Sequence, residues 1–336
     1  MFNSPIFNLI ILLSFTYFMG SLMLSSINEF IAAIFRMRQN HLKDAIGKLF
    51  FSQEWKTFTK LKFFKSPQIE ALMKKPKRYP AYISASNFVR VIIEQIGPSN
   101  FNAVNIAGAI TSSSLPGELK TVLSNLLAKA QCNMTEFEKE IESFYEEAMD
   151  RVTGWYKRKV RTVMFFISIV LAIVLNIDTL KISNDALSDH EKLDNIVNNI
   201  STTMSKMEKV NDSLVIKDGK GKVLTILKMS IDTASIETAA KDSLANDTTG
   251  IKNDIGKMKS DFNTIAVTYE QTTGYKLGYT TMKEFEKEWS EAFFLKLLGI
   301  IITVFALQLG ANYWFDLLNK FVNLRAAGKK PEEKTK

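Results

Sequence analysis

The chain has 336 residues, 46% of them hydrophobic and 23% charged, with a formal net charge of +8. That length allows two or three compact units, and the average composition conceals segregation of the apolar residues into three stretches. The lone Cys132 excludes an intrachain disulfide, and the positive charge is explained by its placement around the apolar stretches without nucleic acid.

The apolar stretches are Pro5 to Ile27, Val163 to Ile177 with its flanks, and Phe293 to Ala311. Each is long enough as a helix to cross hydrocarbon roughly 30 Å thick, which takes about 20 residues. Backbone groups inside lipid must be satisfied within the segment, so these spans are expected to be helices. The first has no Lys or Arg before Arg36, unlike a cleaved signal peptide, and is expected to be a retained anchor with its amino end outside. Along it, Ser14, Ser21, Ser25 and Asn28 share one helical face. Such a face suits close helix packing or, as a second reading, a solute-conducting stripe. Glu29 falls where the helix leaves the membrane and is expected to pair with a nearby Arg.

From Arg38 to Val160 the pattern is that of soluble helices. Leu42, Ile46, Leu49 and Phe50 fit one face; Phe88, Val91, Ile92, Gln95 and Ile96 fit another after start signals at Ser84 and Ser86. Between them lies a proline-punctuated basic loop whose Lys74, Lys75, Lys77 and Arg78 form either a solvated turn or a contact for anionic lipid headgroups. Pro98 to Pro116 reads as a loop around a short apolar piece, followed by a helix from Gly117 to Ala130. Thr135 and Glu138 have capping-box spacing. From there Phe137, Ile141, Phe144, Ala148, Val152 and Trp155 recur at three and four, which predicts one helix from Thr135 to Asp178 with Gly154 as its weak point. The carboxylates Glu138, Glu142 and Glu146 have no His beside them and read as a solvated face, so no metal is expected there.

Beyond Asp178 the composition turns polar. Leu193, Val197, Ile200, Met204, Met207 and Leu214 keep a four-three spacing, as do Ile251, Ile255, Met258, Phe262 and Ile265, which predicts an antiparallel coiled-coil hairpin. Val223 to Ala240 reads as a further helix or connection, and Asp218 to Lys222 as a turn that lacks phosphate-loop spacing. In the second span Ser168, Ala172 and Asn176, and in the third Gly299, Thr303, Ala306 and Gly310, form small-residue stripes for helix packing. Trp155, Lys157, Arg158 and Lys159 before the second span, and Tyr313 and Trp314 after the third, are expected at the membrane interface. Leu317, Leu318, Phe321 and Leu324 extend an amphipathic helix that Gly328 and Pro331 stop.

Lys and Arg outnumber Asp and Glu by 21 to 12 between Arg36 and Arg161 and by 6 to 3 from Asp316 onward, against 15 to 17 between Leu180 and Ser290. Cationic flanks mark the cytoplasmic side, so the amino terminus is expected outside and the carboxyl terminus inside. The expected fold is an all-α membrane protein. Its parts are a first span (1–35), a cytoplasmic helical domain (36–160), a second span (161–178), an extracytoplasmic helical hairpin (179–290), a third span (291–316) and a cytoplasmic amphipathic helix and tail (317–336). His41 and His190 would then lie on opposite sides. No nucleophile-base pair, metal set or cofactor motif is found.

The segments MDRVTGWYKRKVRTVMFFISIVLAIVLNIDTL (Met149 to Leu180), LLGIIITVFALQLGANYWFDLLNKFVNLRAAGKKP (Leu297 to Pro331) and INEFIAAIFRMRQNHLKDAIGKL (Ile27 to Leu49) resemble those of a bacterial membrane-protein family of unassigned function. The resemblance covers well under half the chain. It implies a bacterial cytoplasmic (inner) membrane protein and brings no catalytic or binding residues. The functional expectation is a non-catalytic anchor or scaffold whose partners are membrane lipids and proteins on one or both sides, including other copies of the chain. The alternative is a channel or transport component made by oligomerisation, lined by Ser14, Ser21, Ser25, Asn28 or Gln308. An enzyme would need a pocket joining the loop at Pro98 to Pro116 with acidic residues.

Overall fold

The computed structural model describes residues 4–34, 37–50, 63–73, 79–80, 82–97, 103–217, 222–229, 248–291 and 293–327. Lys74, Lys75, Lys77 and Arg78, the turn at 218–221, the start of the Pro98 loop and the tail from 328 lie outside these residues. The chain is mostly helical, with thirteen α-helices among the described residues. It divides into two compact units, one built on residues 34–159 and the other on 1–33, 160–233 and 248–336.

The first unit contains α2 (Met37–Phe50), a 3-10 turn at Phe63–Lys65, α3 (Pro67–Glu70), α4 (Ala85–Ile96), α5 (Ala103–Ser112), α6 (Gly117–Lys129) and the opening half of α7 (Met134–Val174). Ser84 caps α4 by accepting from Asn87 N at 3.3 Å. The predicted face of α4 then buries Phe88, Val91, Ile92 and Ile96. Side chains of this size contribute about 1.5–3 kcal/mol each when fully buried. Their partners include Ile46, Phe63, Leu123, Phe137 and Ile141. Phe88 stacks on Tyr145 with ring centroids 4.4 Å apart, and Tyr145 donates to Ile83 O at 2.8 Å.

Two local expectations change here. The Pro98 to Pro116 loop contains a ten-residue helix, α5, whose Ile106 and Ile110 enter the core. The start of α7 is capped by Asn133, whose Oδ1 accepts from Glu136 N at 3.2 Å, two residues before the Thr135 box. Of the expected α7 face, Phe137, Ile141, Ala148 and Val152 are buried, whereas Tyr145 and Tyr156 take the places expected for Phe144, which is half-buried, and Trp155, which is exposed. The helix runs through Gly154 without a break.

In the second unit, α1 (Pro5–Ile34) is surrounded by later parts of the chain. These are α8 (Thr179–Ser188), α9 (His190–Met204), α10 (Thr248–Thr273), α11 (Met282–Glu291), α12 (Phe293–Gln308), α13 (Ala311–Ala327) and a small sheet. Ile11, Leu12, Phe15, Phe18 and Leu24 are fully enclosed. Helix α13 lies antiparallel to α1: Phe7 meets Phe321, and ten or so residues on Tyr17 meets Trp314 and Phe18 meets Phe315. The reversal that permits this is at Gly310, where φ is 85°, a left-handed value that favours glycine.

The all-α expectation fails at residues 207–228. β1 (Met207–Val210), β2 (Ser213–Lys217) and β3 (Val223–Lys228) form an antiparallel sheet in sequence order, with Lys209 opposite Leu214 and Val215 opposite Ile226. The four-three seam therefore ends at Met204, and Met207 and Leu214 are buried from strands. Helix α9 does pack beside α10, burying Leu193, Val197 and Ile200 along with Ile265 and Tyr269.

Two ion pairs hold the sheet to the helices. Lys228 of β3 lies 2.8 Å from Glu29 on α1, so the partner of Glu29 is a Lys rather than an Arg. Lys209 of β1 donates to Asp316 of α13 at 3.1 Å. The sheet is thereby tied to the carboxyl end of α1 and to the start of α13.

Candidate functional site

The polar groups of this unit converge where α7 ends. Asn176 adopts φ 53°, and Ile177 N reaches back to Ala172 O at 3.0 Å, closing the helix. Asp178 then starts α8 by accepting from Leu180 N at 2.9 Å and Lys181 N at 3.2 Å. The carboxylate is buried against α12, and only a glycine permits it there. A Cβ on Gly299 would lie 1.8 Å from Asp178 Oδ1.

Four residues along α12, Thr303 donates to Gly299 O and Ile177 O, both at 2.9 Å, and meets Thr179 Oγ1 at 2.8 Å. Tyr17 of α1 reaches the same Thr179 hydroxyl at 2.9 Å. Lys296, one turn earlier on α12, is only 3% exposed although it carries a charge. It donates to Asn176 Oδ1 at 2.8 Å and pairs with Glu288. Glu288 also receives Lys181 at 2.5 Å. Lys296 further lies 4.9 Å from the Tyr279 ring centroid and 5.6 Å from that of Trp289, whose indole N–H donates to Tyr279 at 3.1 Å. Partial burial works to raise the Glu288 carboxyl, but the hydrogen bonds from Lys181 and Lys296 outweigh it and hold the group at about 2. The cluster is thus a satisfied charge network joining α7, α8, α11 and α12, suited to locking a helix break.

A second charge cluster lies near the opposite end of α13. Arg325 is 3% exposed and donates to Asn198 Oδ1 at 3.0 Å and Asp194 Oδ1 at 3.1 Å. Asn8 of α1 donates to the same Asp194 oxygen at 2.5 Å.

The residues expected to pack helices have separate fates. Ser14, Ser21 and Ser25 are buried, and Ser21 donates to Leu307 O at 3.2 Å. Ser168 and Ala172 are fully buried; Ser168 accepts from Gln308 at 3.0 Å, and Ala172 sits with Ile300 and Val304 between α7 and α12. Asn176, Gly299 and Thr303 belong to the charge and hydroxyl network instead of a bare packing stripe. Ala306 is buried, and Gly310 is the turn into α13 with no side chain against it. Among the interface residues, Trp155 and Tyr313 are exposed, Lys157 is half-buried, and Arg158 and Lys159 are exposed. Trp314 is turned back, donating to Ala306 O at 2.7 Å and so satisfying a carbonyl near the end of α12.

The pattern overlooked Tyr17, Asp178, Thr179, Lys181, Glu288 and Lys296. One signal was available: Lys296 interrupts the apolar run FFLKLLGII, and a cation there needs a partner. His41 and His190 remain apart. His41 Nε2 donates to Val152 O at 3.2 Å, and His190 is the exposed first residue of α9. A polar groove of about 420 Å³ between α9 and the end of α10 is lined by Asp189, Lys192, Asn195, Asn199 and Gln271 among others. Comparisons with protein-family models, curated proteins and solved structures find no match.

Proposed function

We propose that the chain is a non-catalytic membrane anchor or scaffold that presents its helical units to protein partners. The observation that supports this best is α7, 41 residues long and unbroken. At 1.5 Å per residue it extends about 60 Å. Its opening half supplies Phe137, Ile141 and Ala148 to one core, and its closing half supplies Ala172 to an apolar cluster in the other unit. A membrane location draws support from Pro5–Ile31, which is long and apolar enough to cross a bilayer. The bent pair of α7 and α8 passes the same length and composition test, as does that of α11 and α12. Assignment to the bacterial inner membrane rests on the segment resemblance.

The test is affinity purification of the full chain from native membranes in mild detergents. Recovery with a reproducible, stoichiometric protein partner is the expected result. Recovery alone under every mild condition refutes the scaffold reading, and release from membranes by carbonate at high pH refutes the anchor. The channel alternative gains no support from α1, because Ser21 is hydrogen-bonded within the chain, as is Gln308.

A further inference from the structure

Apolar residues in the second unit fall into two environments. The middle of α1 is enclosed by protein, with Leu12, Phe15 and Phe18 at 0% exposure. On the closing half of α7 and on α12 the reverse holds: Phe166 is 63% exposed, Val170 59%, Phe294 82% and Phe305 61%. The two helices lie antiparallel, since Gln308 reaches Met164 O while Lys296 reaches Asn176. Their outward side chains therefore form one contiguous apolar face, of the kind that marks a membrane or protein interaction site.

That face carries no charge. No ionisable residue occurs on α7 after Arg161, and the one cation in the α12 run, Lys296, is turned inward to Glu288 and Asn176. Its ends are marked as a bilayer boundary would mark them. Lys157, Arg158, Lys159 and Arg161 precede the α7 portion, the hydrogen-bonded Trp289 and Tyr279 precede α12, and the exposed Tyr313 follows it. The α12 run from Phe293 to Gln308 is 16 residues, about 24 Å of helix and slightly short of a hydrocarbon core.

We infer that this α7–α12 face is the surface seated in lipid hydrocarbon, and that the middle of α1, a helix long and apolar enough to cross a bilayer, is a protein-enclosed core that lipid does not touch. The inference rests on the membrane reading above but divides the three apolar segments differently from their hydropathy. Its interfacial charges are those of the Lys181, Glu288 and Lys296 network, which sits where the face ends.

The experiment is photolabelling of the unmodified full chain in phosphatidylethanolamine and phosphatidylglycerol vesicles with a membrane-soluble diazirine, followed by peptide mapping. Adducts are expected on residues 163–174 and 293–309 and absent from residues 11–24. Adducts on 11–24 at the level of α12 overturn the assignment while leaving the membrane reading intact. A vesicle-bound chain with no adducts on α12 also overturns it, and signifies that a partner protein or a second copy covers the face. Failure to associate with vesicles overturns the membrane reading itself. Phe305→Asp provides an independent readout: it lies on the outward face and should abolish vesicle association without changing the helical circular dichroism signal, and unchanged association counts against the proposal.

Discussion

Gly299→Ala tests the helix break most directly. The added methyl would lie 1.8 Å from Asp178 Oδ1 and 3.2 Å from Leu180 N, so the carboxylate must leave its place. Its departure removes the cap on α8, about 1 kcal/mol, and crowding adds about 1–3 kcal/mol, while alanine's better helix propensity returns about 1 kcal/mol. The expected net is destabilisation of about 2 kcal/mol, by the same bookkeeping. Unfolding of the purified full chain in detergent, followed by circular dichroism, measures it. Asp178→Ala supplies the second edge of a double-mutant cycle. With the carboxylate gone, the propensity gain of about 1 kcal/mol is opposed only by the approach to Leu180 N, so Gly299→Ala should be neutral to slightly stabilising in that background, giving a coupling of about 2–3 kcal/mol. Equal costs in both backgrounds, or a stabilising Gly299→Ala in the natural chain, would refute the close approach.

Asymmetry is expected at the other charge cluster. Asp194→Ala leaves the buried Arg325 without its carboxylate and should cost about 3–5 kcal/mol, whereas Arg325→Met leaves only a half-exposed Asp194 and should cost clearly less; equivalent losses in chemical denaturation would argue against a buried guanidinium. At the start of α7, Asn133→Ala should lower stability by about 1 kcal/mol and Thr135→Ala by less than about 0.5 kcal/mol, and the opposite order would restore the capping box at Thr135. Burial pushes His41 below its ordinary value, against a smaller upward effect of its bond to Val152 O, with Lys159 and Lys48 adding to the downward shift. The folded state therefore disfavours protonation. Stability from this group is full above the unfolded value near 6.5 and falls as pH drops from there through the lower folded value. His41→Gln should flatten that part of a melting-temperature profile as pH falls below about 6.5, and an unchanged slope would remove His41 as its source.

What the sequence made legible was local. The face of α4, the presence of α6 and the continuity of α7 follow from spacing and turn residues that act within a few positions. The sheet was misread because Met207 and Leu214 happen to continue a heptad spacing. Asn211, which lies between them in the same four-three spacing, occupies φ 54° in the turn joining β1 and β2. The left-handed tolerance of Asn was the available signal. The charge network was not legible because its members are far apart in the chain: Asn176 meets Glu288 across 112 positions and Lys296 across 120. Hydropathy likewise reports that α1 is apolar, but a buried core helix and a lipid-facing helix of equal apolarity look alike. Only the neighbours supplied by tertiary structure separate them.

The central position of α1 also sets a condition on biosynthesis. It leaves the ribosome well before the elements that enclose it: Asp194 lies 186 positions after Asn8, Tyr269 253 after Thr16, and Leu307 286 after Ser21. At about 5–20 residues per second, translation leaves this helix uncovered for roughly 15–60 seconds. During that interval its apolar surface needs a temporary host, either the bilayer or a chaperone, and release must await α12 and α13. Nascent chains that stop short of α12 and α13 are consequently the forms most exposed to aggregation and proteolysis.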